Sequence, residues 1–238
     1  MRRPAAVVLA VLALLLAACE VEDPGQGGAI RTTAPSPASD DSTGTPEEEP
    51  ETTAPPPKIL KGSGAKVQRL KVAADSPLVV TGRHSGSSNF IVELVAGGDS
   101  ILLFNEIGTF REQTAVAEIE AKAYRVRVDA DGTWRLRFEQ PVPTAGAKEI
   151  PGTLRGKGAK VVPIQTLEDI QPTVAASHSG EANFIVTLIG YGDLRGEILV
   201  FNEIGEFQGE TIVDEELAPA GYLLYVQADG TWRLRFSR

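Results

Sequence analysis

The sequence predicts an all-β fold: two tandem antiparallel β-sandwich domains, Ig-like or jelly-roll-like, that follow a signal peptide and a disordered tether. Three observations lead to this prediction. Short runs alternate apolar and polar residues with a period of two, the whole pattern occurs twice, and no stretch of the second part of the chain has helical periodicity. Strands of this kind bury one face and expose the other.

The strands are clearest near the end of each copy of the pattern. Residues 124–128 (YRVRV) and 134–138 (WRLRF) alternate apolar and basic side chains. Similar runs recur about every 12 residues with Gly, Pro, Asn or Asp between them, which predicts about six to eight strands in each copy.

The duplication is defined by three motifs that occur in the same order in both copies. They are HSGxxNFxV at 84–92 and 178–186, FNEIG at 104–108 and 201–205, and ADGTWRLRF at 130–138 and 228–236. A copy of this size can bury an independent core. We therefore expect one sandwich over 58–143, a linker over 144–153 and a second sandwich over 154–238.

These motifs resemble a small β-sandwich domain that recurs, often in tandem, in exported proteins and lipoproteins of actinobacteria. The resemblance covers nearly all of the chain after Lys58. It implies the sandwich fold and a location outside the cytoplasm. The domain has no established activity, so the resemblance implies no catalytic residue and no cofactor.

The N-terminus has the pattern of a bacterial lipoprotein. Two arginines precede an apolar run over 5–16, which is too short to span a bilayer and is typical of a signal peptide. Residues 16–19 (LAAC) resemble the lipobox, and Cys19 is the only cysteine of the chain. We expect residues 1–18 to be removed and Cys19 to carry acyl chains. These would anchor the protein on the extracytoplasmic face of the cell membrane.

Composition restricts the partners of the chain. Residues 19–57 are rich in Pro, Thr, Ser, Gly and acids, which predicts a disordered tether. The net charge of −9 argues against nucleic acid as a partner. With Cys19 acylated, the chain would form neither a disulfide nor a thiolate metal site.

The last two runs of the first copy predict a basic surface. If residues 130–132 form a three-residue hairpin loop with Gly132 left-handed, the two strands pair directly. The register then places four basic residues on one outer face, a candidate site for an anionic ligand. They are Arg125, Arg127, Arg135 and Arg137. Alternatively, nearby acids neutralise them, the candidates being Glu93, Glu118 and Glu120.

In the second copy, Leu223 and Tyr225 replace the first two arginines of this face. The outer faces of the two copies have therefore diverged. The sequence leaves open whether the two copies pack against each other.

No catalytic site is predicted. His84 and His178 are the only histidines and occupy the same repeat position, but neither has a nucleophile or companion ligands at a fixed spacing. We expect each to make a structural hydrogen bond. Trp134 and Trp232 fall on the apolar face and are expected in the core.

The sequence favours the absence of a metal site, and a calcium site is the weaker alternative. Carboxylate and amide oxygens after several strands could converge on Ca²⁺, although turns select the same residue types. The residues concerned are Asp99, Asn105, Glu106, Asp193, Asn202 and Glu203.

Three classes of function are compatible with the sequence. We favour a non-enzymatic binding or adhesion module for a cell-wall polymer or an envelope protein, because a tether followed by tandem domains suits a protein that reaches and holds. The alternatives are a structural spacer or accessory subunit of an envelope complex, and a hydrolase with an unrecognised site.

Overall fold

The computed structural model describes residues 53–238. The predicted signal peptide, Cys19 and nearly all of the predicted tether lie outside the described residues. Within 53–238, no helix is both long and apolar enough to cross a membrane.

The described residues form seventeen strands, and the only helix among them is a short 3-10 turn, Gly192–Leu194. The first half contains β1 Lys58–Ser63, β2 Lys66–Lys71, β3 Leu78–Ser85, β4 Asn89–Ala96, β5 Asp99–Ile107, β6 Phe110–Val116, β7 Ala123–Ala130 and β8 Thr133–Glu139. The second half contains β9 Lys148–Glu149, β10 Gly152–Lys157, β11 Lys160–Gln165, β12 Thr173–His178, β13 Asn183–Ile189, β14 Glu197–Ile204, β15 Phe207–Ile212, β16 Gly221–Gln227 and β17 Thr231–Ser237. The predicted all-β class is confirmed.

The strands form four sheets, two in each half. In the first half, sheet I has the order β1-β8-β3-β6 and sheet II the order β2-β7-β4-β5. In the second half, sheet III has the order β10-β17-β12-β15 and sheet IV the order β14-β13-β16-β11-β9. All pairings are antiparallel except that of β9 with β11.

Each half has its own apolar cluster, to which both of its sheets contribute. In the first half Val80 and Leu136 of sheet I meet Phe90 and Val126 of sheet II, and all four side chains are fully buried. Alternate residues on the same strands are exposed, as a period of two requires. Burial of each such side chain contributes on the order of 1.5–3 kcal/mol.

The predicted hairpin between β7 and β8 is wrong. The two strands belong to different sheets: β7 pairs with β2 and β4, and β8 pairs with β1 and β3. Residues 130–132 instead form a corner that carries the chain from sheet II to sheet I. Gly132 is not left-handed. It is glycine because a Cβ there would lie 1.9 Å from the carbonyl oxygen of Ser85.

The two halves contact each other along β6. The main chain N–H of Gln113 donates to the Ala159 carbonyl (3.4 Å), and the Gln113 side chain accepts from the Val161 N–H (3.1 Å). The Tyr225 hydroxyl donates to Thr114 Oγ1 at 3.1 Å. An apolar cluster lies beside these bonds. Its buried members are Val79, Ala117, Ile189 and Leu223.

Candidate anion-binding face

The four arginines predicted to share a face lie on two different sheets. Arg125 and Arg127 are on β7 in sheet II, whereas Arg135 and Arg137 are on β8 in sheet I. The prediction of a single four-arginine face is therefore wrong, because the strands that carry these residues do not pair. Two separate basic surfaces replace it.

The register of sheet I brings other basic residues beside Arg135. On one side Arg135 lies opposite Lys61 of β1, and on the other side opposite Arg83 of β3. Arg83 in turn lies opposite Arg111 of β6. The sheet thus carries a basic residue on each of its four strands in one continuous line, which we call the cationic row.

The cationic row lies on the outer face because the adjacent positions are in the core. Leu60, Leu136 and Gly82 form the next line across the same strands, and all three are buried. Gly82 has no room for a side chain, since a Cβ would lie 2.8 Å from the Phe104 ring. All members of the cationic row are exposed.

No acid neutralises the cationic row within residues 53–238: none of its basic groups has a carboxylate oxygen within 4.0 Å. Adjacent strands are ~4.8 Å apart, and like charges directly opposite each other on neighbouring strands are destabilising. Four such charges in line therefore cost stability in the unliganded protein. An anion bound along the row would remove that repulsion.

One further arginine borders the cationic row. Arg137 lies opposite Thr81 and is paired with Glu139 of its own strand at 2.5 Å. Together with Arg83 and Arg135, these two opposed residues line a shallow depression of about 310 Å³. The basic surface of sheet I therefore includes a depression that is lined by three arginines.

Sheet III carries a weaker version of the cationic row in the second half. Arg155 of β10 lies opposite Arg233 of β17, but the line continues with Ser177 and Gln208 instead of arginines. Glu210 lies next to it on β15. The two halves have thus kept two basic positions in common, and only the first half has four.

The basic residues of sheet II are partly neutralised. Arg127 forms a salt bridge with Glu93, one of the three acids predicted for this role. Glu120 instead pairs with Lys122 at 2.6 Å, and Glu118 has no salt-bridge partner among residues 53–238. Arg125 lies opposite another arginine, at position 69.

Both histidines are buried. Each belongs to an equivalent network at the corner between the two sheets of its own half. His84 Nδ1 is 2.7 Å from the Gly108 carbonyl oxygen, and its Nε2 is 3.3 Å from Asp131 Oδ1. The ring stacks on Phe90 with centroids 4.8 Å apart. In this arrangement Nδ1–H donates to the carbonyl, which leaves Nε2 facing the carboxylate.

The second half repeats this network. His178 Nδ1 is 2.8 Å from the Gly205 carbonyl oxygen, its Nε2 is 3.3 Å from Asp229 Oδ1, and the ring stacks on Phe184. A Cβ at Gly180 would lie 1.8 Å from Asp229 Oδ1, which explains the glycine of the HSG motif.

The aspartates of this network also hold the neighbouring loop. Asp131 accepts hydrogen bonds from the N–H groups of Ser87 and Ser88 at 2.8 and 3.0 Å, and chiefly the first of these lowers its pKa. In the second half the N–H of Glu181 lowers the pKa of Asp229 in the same way. The network therefore holds the loop in both halves, and in the first half the Ser87 hydroxyl also donates to Asp131 Oδ2 at 3.0 Å.

The tryptophans lie in the core, as predicted. Trp134 and Trp232 are 4% and 3% exposed. The indole N–H of the first donates to the Gly64 carbonyl at 2.9 Å, and that of the second to the Gly158 carbonyl at 3.0 Å.

The residues of the metal alternative do not converge. Asp99 and Glu106 lie near opposite ends of β5, and Asn105 and Glu106 are sequence neighbours that point to opposite faces. Asp193 lies in the 3-10 turn, and Asn202 and Glu203 lie on β14 in the other half. Within residues 53–238, no three His, Cys, Asp or Glu side chains are grouped so as to hold a metal ion.

Glu106 instead lines a cavity between the halves of about 570 Å³, together with Glu112, Glu197 and Asp229. Burial raises the pKa of Glu106 and of Glu112, and repulsion by the Glu106 carboxylate raises the pKa of Glu112 further.

Comparison with known proteins adds only distant similarities. No protein-family model matches the chain, and no curated protein sequence matches it. A solved allantoicase structure has a TM-score of 0.27 and 9% identity, over 75% of this chain and 79% of that one. A fucolectin from striped bass serum has a TM-score of 0.24 and 4% identity, over 76% and 84%. The allantoicase of Saccharomyces cerevisiae has a TM-score of 0.26 and 8% identity, over 75% and 79%.

Lys61, Arg83 and Arg111 were not among the residues predicted for the basic surface. Each lies on a strand that the pattern of alternation can detect, but nothing in the local sequence says that these strands are neighbours. The one indication in the sequence that could have drawn attention to any of these residues is that Arg83 directly precedes the histidine of the HSG motif.

Proposed function

We propose that this protein is a lipid-anchored, extracytoplasmic binding protein that holds an anionic polymer of the cell envelope and catalyses no reaction. The anchor rests on the LAAC motif that ends at Cys19. The binding activity rests on one observation, the un-neutralised cationic row across sheet I.

The chemistry of the cationic row suits a repeating anion. Guanidinium groups bind carboxylate and phosphate through two parallel hydrogen bonds, and three of the four members are arginines. The row spans one sheet from edge to edge, so a linear polymer could contact several members at once. The net charge of the whole chain is −9, so most of its surface would repel a polyanion. Of the two basic surfaces, only the cationic row has a basic residue on every strand of its sheet.

We also propose that the two halves are tandem jelly-roll domains. The strands of each half are counted along the chain, from β1 in the first half and from β10 in the second. In both halves, eight strands then form two sheets with the spatial orders 1-8-3-6 and 2-7-4-5. This double Greek-key order is that of a jelly roll. In the second half β9 adds a further strand at one edge.

Binding to two linear polyanions tests the proposed activity. The full chain should bind both polyphosphate and polygalacturonate, and its affinity should fall with rising salt. Reversing two members of the row, in Arg83→Glu/Arg135→Glu, should lower the affinity at least about tenfold, a loss of roughly 1.4 kcal/mol. Titration calorimetry at fixed ionic strength measures this change.

The matched control is Arg69→Glu/Arg125→Glu on sheet II, which changes the net charge by the same amount on another surface. It should leave the affinity within about twofold of the unmodified chain. Equal losses in the two variants would reduce the effect to overall charge and contradict the proposal. Absence of binding by the unmodified chain would also contradict it.

The anchor has its own test. Cys19→Ala should abolish acylation and release the protein from the membrane fraction, as measured by metabolic labelling with palmitate. A variant that stays membrane-bound and labelled would contradict the assignment.

A further inference from the structure

The contact between the two halves joins two surfaces that each occur twice in the chain. One is the edge at β6, which contributes Gln113, Thr114 and Ala115. The other is the outer face of β11 and β16 in sheet IV, which contributes Val161 and Tyr225. Because the halves are repeats, the chain also contains the β15 edge and the outer face of β2 and β7. Neither of these two surfaces makes a contact of this kind with any part of residues 53–238.

The free edge matches the occupied one position by position. By the FREQTA and FQGETI alignment, Glu210 stands at the position of Gln113, Thr211 at that of Thr114, and Ile212 at that of Ala115. Glu210 keeps a side-chain oxygen that can accept a hydrogen bond, as the Gln113 side chain does from Val161. Ile212 is 57% exposed.

The free face also matches the occupied one. Val67 stands at the position of Val161, Arg127 at that of Tyr225, and Arg125 at that of Leu223. Val67 lies on β2, which is the edge strand of sheet II, and is 62% exposed. The main difference between the free and the occupied surfaces is therefore charge.

The charges of the free surfaces are opposite in sign. The β15 edge and the loop after it are acidic and exposed, through Glu210, Asp214, Glu215 and Glu216. The outer face of β2 and β7 is basic and exposed, through Arg69, Lys71, Arg125 and Arg127, with Glu93 paired to the last of these. Charges placed only to keep two ends soluble would not need to be complementary.

We propose that the β15 edge of one molecule docks on the outer face of β2 and β7 of a second copy, in the manner of the contact within the chain. The interface is heterologous, because it joins two different surfaces. Each molecule has one free edge and one free face, so copies add head to tail in an open series. The contact within the chain combines an apolar cluster with uncharged hydrogen bonds. The contact between copies is charged and is therefore reversible and weakened by salt.

Sedimentation velocity of the full chain tests this proposal over a concentration series at low and at high salt. The mean mass should rise with concentration beyond that of a dimer, and high salt should weaken the association about tenfold. Arg69→Glu/Arg125→Glu disables the face and Glu210→Lys/Asp214→Lys disables the edge, so each variant alone should be monomeric.

Mixing the two variants distinguishes this arrangement from others. The intact edge of the first variant can meet the intact face of the second, so the mixture should associate again. Circular dichroism on each variant shows that it is folded. A chain that is monomeric at all concentrations, a dimer that does not grow, or variants that do not recover on mixing would each overturn the proposal.

Discussion

Strands β7 and β16 occupy the same position in the two halves but have opposite surroundings. On the outer side of β7, Arg125 and Arg127 are exposed. On the outer side of β16, Leu223 is fully buried and Tyr225 is partly buried, because the first half covers this strand. Burial raises the pKa of the Tyr225 hydroxyl.

This difference shows what the divergence of the repeats means. Inward-facing positions remain apolar in both halves because each half needs a core. An outward-facing position is basic where it is free and apolar where the other half covers it. The replacement of Arg125 and Arg127 by Leu223 and Tyr225 therefore marks an interface within one chain.

The largest predicted effect comes from making β16 resemble β7. Leu223→Arg buries a charge in the apolar cluster between the halves and should lower the free energy of unfolding by more than about 3 kcal/mol. The reverse change, Arg125→Leu, lies on the free surface and should alter it by less than about 0.5 kcal/mol. Urea unfolding monitored by tryptophan fluorescence measures both. Similar costs for the two changes would contradict the comparison.

The buried histidines sharpen the comparison, because here the halves differ only in a minor contact: the Gly230 N–H donates to His178 Nε2 at 3.3 Å, whereas His84 Nε2 has no hydrogen-bond partner among the described residues. His84→Ala and His178→Ala each remove a ring that stacks on a phenylalanine and hydrogen-bonds a glycine carbonyl. Each should cost about 2–4 kcal/mol, and the two costs should agree within about 1 kcal/mol. Differential scanning calorimetry of both variants makes this measurement. A large cost in only one half would mean that the two networks are not equivalent.

The alternation of buried and exposed residues could be predicted from the sequence, because it depends only on the strand period. Trp134 was placed in the core, and its neighbour Arg135 on the surface, from the pattern alone. The same reasoning identified the replaced residues, Leu223 and Tyr225, although not what covers them.

Strand pairing could not be predicted, because the ADG sequence suits a hairpin loop and a corner between sheets equally well. What decides is contact with residues distant in the sequence: Asp131 holds the N–H groups of Ser87 and Ser88, and Gly132 lies against Ser85. For the same reason the neighbours of Arg135 in the cationic row do not follow from the sequence.

Tyr225→Phe tests the polar part of the contact between the halves. The change removes the hydroxyl that donates to Thr114 Oγ1 at 3.1 Å and should cost about 1 kcal/mol. Thr114→Ala should cost a similar amount, and the double variant should cost less than the sum, because both changes break the same bond. A double-mutant cycle by urea unfolding measures the coupling. Additive costs would show that the bond contributes nothing.

The smallest predicted effect is a loss of folding stability at low pH, and it should again be similar in the two halves. The pKa of Asp131 is lowered, first by the hydrogen bond from the Ser87 N–H, and that of Asp229 is lowered, first by the bond from the Glu181 N–H. A carboxyl whose pKa is lower in the folded state stabilises the fold above its ordinary pKa of 3.8 and loses this contribution as pH falls through the lowered value.

Asp131→Asn and Asp229→Asn keep an acceptor oxygen but do not titrate. Each variant should therefore lose less stability than the unmodified chain between about pH 5 and pH 2, and the double variant should lose least. Urea unfolding at stepped pH measures these slopes. Asp229 lines the cavity between the halves, whereas Asp131 does not. In both cases the chief cause of the lowered pKa is a main-chain N–H of the neighbouring loop, so the two single variants should flatten the pH dependence to a similar extent. Clearly unequal slopes would mean that the contact between the halves acts on Asp229.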